Sequence, residues 1–300
     1  MPAADALRRQ PFAPADVDAV VAFCDAPDAP FDGPLVRRLM LELTSEPAGV
    51  IVLRDGAGMA LAATVVDRTR NVADAALLHI LGVRPPIPAA AFMRLVVEPA
   101  LAFAGRGGRR ALHVELPAAT MPCADVQPAL EQAGFDPVYS LFEMRRPHDA
   151  PAPPLEPLPA GWSWTVIDGA RADDAHAALT DMFGDALATQ IVPLSAFRRA
   201  LLSGETVWHA LLDGDRIAGM LRVGAHGARA ELQILGRVRA YRGRGLGPRL
   251  VAEGLRRLTS NGARDVDLTV EAENESALAL YRRFGFAVRS RTPVFGRALR

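Results

Sequence analysis

Y-R-G-R-G-L-G-P-R-L-V, running from Tyr241 to Val251, sets three glycines at alternate positions beside two arginines and leads directly into an apolar pattern. Leu246, Leu250, Val251, Leu255 and Leu258 recur at helical spacing between Gly245 and Asn261, and Asn261-Gly262 supplies a stop. The residues before the loop, Ala228 to Leu235, read as a strand. The first N–H groups of a helix have no partner within it, and the helix dipole adds partial positive charge there. Glycine lets the chain turn sharply and lets an anion approach those N–H groups. Arg242 and Arg244 add forked donors matched to phosphate oxygens. The stretch therefore reads as a phosphate or pyrophosphate cradle, with a tight strand-to-helix turn carrying solvated arginines as the plain alternative.

Two familiar phosphate loops fit poorly. A nucleoside-triphosphate loop needs Gly-Lys-Ser/Thr, and this chain has no lysine: all 34 of its basic residues are arginine. A dinucleotide fingerprint counted from Gly243 requires glycine at 248, where Pro248 stands. Asp265 lies near the place of a ribose-binding acid, but that fingerprint belongs to the first βα unit of a domain, and several elements precede this loop.

Outward from the loop, Arg171–Phe183 and Leu194–Ser203 read as helices. Val207–Leu212 and Arg216–Val223 flank D-G-D, a hairpin signal. After the long helix, Val266–Val270 alternates as a strand, Ser276–Phe284 forms a short helix ended by Gly285, and strands at Ala287–Ser290 and Val294–Ala298 close the chain. The order α-α-β-β-β-α-β-α-β-β gives an α/β class, a mixed α+β sheet with helices on its faces.

The first half repeats this pattern. A-A-L-L-H-I-L-G (Ala75–Gly82) aligns with R-A-E-L-Q-I-L-G (Arg229–Gly236). L-R-D-G (Leu53–Gly56) parallels L-L-D-G (Leu211–Gly214), and R-L-V recurs at Arg94–Val96 and Arg249–Val251. E-Q-A-G-F (Glu131–Phe135) parallels R-R-F-G-F (Arg282–Phe286). Four matches in one order, with shifts between 151 and 158 residues, indicate a duplicated domain. Proline-rich P-H-D-A-P-A-P-P-L-E-P-L-P-A-G lies between the halves and favours an extended spacer. The expected division is residues 1–147, a linker at 148–160, and 161–300.

Composition narrows the partners. A chain of 300 residues, half of them apolar, with formal net charge zero, has material for two cores and no bulk positive charge for nucleic acid. Cys24 and Cys123 read as small buried residues of a reducing compartment, and no His/Cys cluster suggests a metal. M-P-A-A-D-A-L-R-R-Q lacks the apolar run of a signal peptide, and no stretch approaches a membrane span. The expectation is a cytoplasmic protein without membrane, nucleic-acid or metal partners.

The loop and the segment downstream of it resemble the GCN5-related N-acetyltransferase (GNAT) family. R-G-R-G-L-G (Arg242–Gly247) is similar to its R/Q-x-x-G-x-G/A pyrophosphate loop for acetyl-coenzyme A. V-E-A-E-N-E-S-A-L-A-L-Y-R-R-F-G-F (Val270–Phe286) is similar to the family's next block, with Asn274, Tyr281 and Gly285-Phe286 at the matching spacings. The departure is Arg237-Val238-Arg239, where the family often has V-x-P. The resemblance implies two tandem GNAT-like domains, each a mostly antiparallel twisted sheet flanked by helices, in an arrangement similar to that of mycothiol synthases. It also implies acetyl-CoA as co-substrate. Its contacts would be Leu235, Gly236, Arg237 and Val238 at a splayed strand end, Arg242, Gly243, Arg244, Gly245, Leu246 and Gly247 in the loop, and Asn274 and Tyr281.

For catalysis, the resemblance assigns a general base to Glu231, which otherwise reads as an outward-facing strand residue. It gives Tyr281 a proton or a hydrogen bond for the departing thiolate. Asn274 caps its helix in either case. In the first half Leu77 stands at the place of Glu231 and Leu130 at that of Tyr281, and the loop becomes R-P-P-I-P-A-A-A-F (Arg84–Phe92), whose prolines remove N–H donors. The first copy is expected to be degenerate. The implied activity is acetyl transfer to a primary amine of a small molecule or peptide, by direct attack in a ternary complex. A non-catalytic coenzyme-A-binding module is the rival. The acceptor would border Arg171–Glu205, whose Asp173, Asp174, Asp181, Asp185 and Glu205 suit a cationic amine or a solvated helix face. His176 and His209 read as structural, and Trp162, Trp164 and Trp208 as core or pocket aromatics.

Overall fold

The computed structural model describes residues 7–10, 12–24, 49–54, 60–67, 74–83, 87–118, 124–154, 157–189, 191–203, 207–226 and 229–299. Cys123 and Glu205 lie outside them. Two compact units are present: residues 1–140 with 291–300, and residues 141–290.

The first unit contains β1 (Arg8–Gln10), α1 (Val17–Cys24), β2 (Val50–Arg54), β3 (Ala60–Asp67) and β4 (Ala75–Val83). A helix α2 comes next, built of Ala89–Phe92, a π-helical turn Met93–Val97, and Glu98–Arg106; then come β5 (Ala111–Glu115) and α3 (Val126–Gln132). β1 to β4 pair antiparallel in sequence order, and β4 pairs parallel with β5. Strand alternation sorts the faces: Leu78, Ile80, Leu112 and Val114 pack with Phe92, Val96, Ala100 and Phe103 of α2 and Leu130 of α3. On the opposite face Val50, Val52 and Leu81 meet Val17, Val20 and Cys24 of α1.

The second unit repeats this order. It runs β7 (Trp162–Val166), α4 (Ala172–Phe183), α5 (Leu194–Ser203), β8 (Trp208–Asp213), β9 (Arg216–His226), β10 (Arg229–Arg237), α6 (Leu246–Ser260), β11 (Val266–Glu271) and α7 (Glu275–Arg283). β7 to β10 pair antiparallel and β10 pairs parallel with β11. Ala230, Leu232 and Leu268 face Val251, Leu255, Leu258, Leu278 and Tyr281 on the side of α6 and α7. Trp208, Ala210, Leu212 and Met220 face Ala175, Leu179, Met182 and Phe197 on the side of α4 and α5. Burying each large aliphatic side chain of these layers contributes about 1.5–3 kcal/mol, so the helices are fixed by packing on both faces.

Three details differ from the sequence reading. β7 precedes the first helix of the second half; the alternation W-S-W-T-V carried its signal, masked by the neighbouring prolines and Gly161. The last strand, β12, runs without a break over Ala287–Ala298 in place of two short strands. The units part at Ser140/Leu141 and Ser290/Arg291, outside the proline-rich stretch 148–160. The physical reason is backbone pairing. In β6 (Asp136–Arg146), Leu141 to Arg146 pair antiparallel with β11, whereas Val294 to Ala298 of β12 pair antiparallel with β5. Each sheet therefore takes its closing strand from the other half of the sequence, which no composition shift records.

Candidate functional site

Among the described residues of the second unit, β10 and β11 pair at Ala230↔Val266 and Glu231↔Asp267. Beyond them β10 stays with β9 as far as Arg237↔Gly219, and β11 stays with β6 as far as Glu271↔Leu141. The two parallel strands thus diverge into a fork whose inner edges carry backbone groups not paired across it. A bulge, in which Leu232 pairs with Val223 but Ile234 with Arg222, turns the side chains over at Gln233. Ala230, Leu232 and, past the bulge, Leu235 pack toward α6 and α7, whereas Ile234 packs toward α4 and α5. Glu231, between Ala230 and Leu232, therefore projects to the α4–α5 face at the last paired position of the fork.

The end of β10 leads to the glycine loop. Val238 N–H donates to Ala218 carbonyl at 3.0 Å, a 3₁₀ turn spans Arg239–Tyr241, and α6 begins at Leu246. Gly243 and Gly245 have φ of 77° and 69°, the left-handed region, and a Cβ on either would meet nothing within 4 Å. Glycine is required there by backbone conformation, and the space over the loop is open. Gly245, at the N-cap of α6, has no side chain to cap the helix, and Pro248 contributes no N–H, so the donors at the helix mouth are those of Gly245, Leu246 and Gly247. Gly247 serves a different purpose: a Cβ there would lie 2.9 Å from Leu280 Cδ2, so it lets α6 close onto α7. Arg242 and Arg244 are exposed. The Arg244 guanidinium lies 4.9 Å over the Tyr241 ring. That ring stands edge-on to Trp162 at 5.8 Å, and its hydroxyl donates to Asp213 Oδ2 at 3.2 Å. A pyrophosphate fits this set: open glycine backbone, uncapped helix N–H groups and two exposed guanidiniums.

Asn274 Oδ1 accepts from Ala277 N–H and from the Ser276 hydroxyl, each at 3.1 Å, and so caps α7. Tyr281, on one face of α7, is 9% exposed and stands edge-on to Phe286 at 5.9 Å. Burial pushes its hydroxyl pKa up to about 12, against an opposing influence from the Arg237 cation, so the phenol is protonated at neutral pH. Arg237, two residues past Leu235, projects to the same side of β10 as Leu235 and hence toward Tyr281.

Across the sheet, the acidic residues of the first helices are mostly engaged. Arg198 binds Asp173 with contacts of 2.6 to 3.1 Å. Arg239 N–H donates to Asp181 Oδ2 at 2.6 Å, and its guanidinium donates to the Asp181 carbonyl at 3.0 Å and to the Asp185 carboxylate. Proline, the family's common residue at this place, lacks that N–H. The departure noted in the sequence is thus a tie between the exit of β10 and the last turn of α4. Ala188 N–H donates to Glu271 Oε1 at 2.7 Å, tying the segment after α4 to the end of β11. His176 Nε2 bonds Val192 carbonyl at 2.8 Å, and His209 is buried, its pKa lowered to about 4 by burial and by Arg257. Trp208 stands edge-on to Phe197 at 5.5 Å, and Trp162 and Trp164 pack beside Leu211 and Tyr241. All five side chains are packing or hydrogen-bonding elements of the scaffold.

Around the fork, Glu231 stands at its base on the α4–α5 face, Leu235 to Val238 form one arm with the loop beyond it, and Tyr281 lies on the α6–α7 side near Arg237, with Asn274 at the start of α7. Sequence reasoning missed Arg239 as a tie, Glu271 as an anchor, and Tyr241 with Asp213 as the support of Arg244. Only Arg239 carried a signal, as an exception to a pattern. In the first unit the corresponding strands pair from Ala75↔Ala111 to Leu78↔Val114. Leu77 and Leu130 are fully buried, and Pro88 precedes the first turn of α2. His79 Nδ1 and Glu115 Oε2 lie 3.0 Å apart just past the last paired position. Arg84 to Pro86 lie outside the described residues.

The sequence profile of the Acetyltransferase (GNAT) family matches residues 173–286. A mycothiol acetyltransferase of Corynebacterium efficiens is 45% identical over 86 residues, 28% of this chain and 29% of that protein. A mycothiol acetyltransferase of Clavibacter michiganensis is 47% identical over 75 residues, 25% of this chain and 24% of that protein. The chain thus matches less than a third of the length of these curated relatives. In structure the chain is similar to a GCN5-related N-acetyltransferase from Sphaerobacter thermophilus, with TM-score 0.71 and 20% identity, covering 99% of this chain and 96% of that one. It is also similar to a tandem GNAT protein from the clavulanic acid biosynthesis pathway, with TM-score 0.67 and 17% identity, covering 98% and 99%. At such identities the likeness is one of fold.

Proposed function

We propose, from the match of residues 173–286 to the Acetyltransferase (GNAT) family profile, that the second unit moves an acetyl group from acetyl-CoA to a primary amine within a ternary complex. The observation that carries this reading is the fork between β10 and β11 leading into an open, basic, glycine-lined helix mouth. The relatives named mycothiol acetyltransferases favour a small-molecule acceptor over a peptide.

Bound acetyl-CoA supplies an acyl group already activated as a thioester. Gly243, Gly245 and the α6 N–H groups hold the pyrophosphate, with Arg242 and Arg244 adding charge. The fork-facing backbone edge at Leu235–Val238 hydrogen-bonds the pantetheine arm and polarises the thioester carbonyl with an N–H. An amine is cationic at neutral pH and attacks only after losing a proton. Glu231, on the α4–α5 face of the fork, accepts that proton on a carboxylate oxygen, directly or through a water. Tyr281 donates a hydrogen bond to the sulfur as charge builds there. With its pKa pushed up to about 12 by burial, well above that of an alkyl thiol near about 8.5, complete proton transfer to the thiolate runs uphill, so hydrogen bonding is the favoured role. The first unit lacks Glu231 and Tyr281 counterparts and serves as a non-catalytic copy.

Thiol release from acetyl-CoA across a panel of amines tests the reading. Turnover with at least one small amine, reduced about a hundredfold or more in Glu231→Gln, is the expected result. Tight coenzyme A binding without turnover on any amine would leave the domain a non-catalytic binding module.

A further inference from the structure

Gly236, near the end of β10, lies under the last turn of α4. A Cβ built on it would stand 2.6 Å from Phe183 Cζ and 2.9 Å from Met182 Sδ, so the ring and the sulfur rest on bare backbone. Ile234 and Val238 pack in the same apolar cluster as Met182 and Phe183. Met182 is 8% exposed, whereas Phe183 is half-buried and reaches the surface of the cluster. The turn carrying both residues is held on two sides. Arg239 ties Asp181 and Asp185 to the exit of β10, and Ala188 N–H ties the following segment to Glu271 at the end of β11. Both arms of the fork therefore anchor the piece of chain that bears Phe183.

We propose that Phe183, backed by Met182, is an acyl-length gauge: it closes the α4 side of the fork beside Leu235–Val238 and confines the acyl group to about two carbons. This inference rests on the reading of the second unit as an acyl-CoA enzyme. A ring that rests on bare backbone and is carried by a turn tied at both ends retreats only if that turn opens, so a longer acyl chain meets a fixed wall. Discrimination by one methylene in an apolar pocket is about 10- to 200-fold, and butanoyl adds two methylenes to acetyl. Gly236 belongs to the device, since any side chain there would displace the ring.

The test is binding, which requires no knowledge of the acceptor. Dissociation constants are measured by calorimetry for acetyl-, butanoyl- and hexanoyl-CoA and for free coenzyme A, on the wild type, Phe183→Ala and Phe183→Leu. The wild type should bind butanoyl-CoA at least about tenfold more weakly than acetyl-CoA. Phe183→Ala should bring the two within about threefold, with Phe183→Leu between, while free coenzyme A binds all three proteins alike. A wild type indifferent to chain length, or a Phe183→Ala protein that keeps the wild-type ratio, overturns the gauge and leaves the acyl-CoA reading intact. A wild type that binds neither coenzyme A nor its thioesters overturns both. Should Phe183→Ala fail to fold, Phe183→Leu and Met182→Ala decide on the same ratio.

Discussion

Replacing Gly245 by Glu separates the cradle's conformational requirement from its electrostatic one, provided that Gly245→Gln is made beside it. Gly245 has φ 69°, so either side chain adds left-handed strain of about 1–2 kcal/mol, equal in the two variants. Nothing lies within 4 Å of the new Cβ, so neither meets a steric clash in the protein. The variants differ only in charge. A carboxylate about 5 Å from one pyrophosphate charge costs about 0.8 kcal/mol at the dielectric of water and about 3 kcal/mol at an effective dielectric of 20. Residue 245 is exposed, which puts the expected penalty at about 1–2 kcal/mol, a five- to thirtyfold weaker Kd for Glu than for Gln. Calorimetric titration with acetyl-CoA at about 20 mM salt reads this difference, and at about 500 mM it should shrink as screening sets in. Thermal unfolding without ligand should drop alike in both variants. Equal affinities for Glu, Gln and wild type at low salt would mean that the diphosphate does not bind at this helix mouth.

Tyr281→Phe should lower kcat about tenfold or more while leaving KM for acetyl-CoA nearly unchanged, because the hydrogen bond to sulfur strengthens only as charge develops. The wild-type rate should show no loss from this group up to about pH 10, since its pKa is near 12; steady-state kinetics across pH checks both. Arg239→Pro restores the family's common residue but removes the N–H and guanidinium bonds to Asp181 and Asp185. Stability should fall by about 1–2 kcal/mol in urea unfolding, most of it from the backbone bond, since the half-exposed ion pairs contribute little. His209 titrates near 4 in the folded protein and near 6.5 when unfolded. The unfolded chain therefore binds more protons between these values, and stability declines as pH falls through that window, by up to about 3 kcal/mol. His209→Gln should flatten this acid limb in urea titrations at pH 4.5 and 7; an unchanged slope would mean that other groups carry it.

Much of the second unit was legible in the residues themselves. The spacing of Leu246, Leu250, Val251, Leu255 and Leu258 specifies α6, glycines at 243 and 245 mark left-handed backbone, and Asn274 caps α7, all local properties written in a few consecutive positions. The duplication was legible because both copies keep the apolar positions that fill equivalent cores. Strand partners were not legible. The end of β6 hydrogen-bonds to β11 and the end of β12 to β5, and a backbone N–H or C=O is the same group in every residue, so no composition shift marks where a strand finds its edge. The ties that hold the end of α4 were hidden for a related reason. Asp181 and Asp185 stand more than fifty positions from Arg239 in the chain, and their acidic charge read equally as an amine site or a solvated helix face until folding paired it. The residues alone thus specify the local elements, the duplicated plan and the left-handed glycine loop at the mouth of α6. Tertiary structure alone decided which strand closes each sheet, which charges are neutralised, and that Phe183 comes to rest on Gly236, because those outcomes depend on contacts between distant segments.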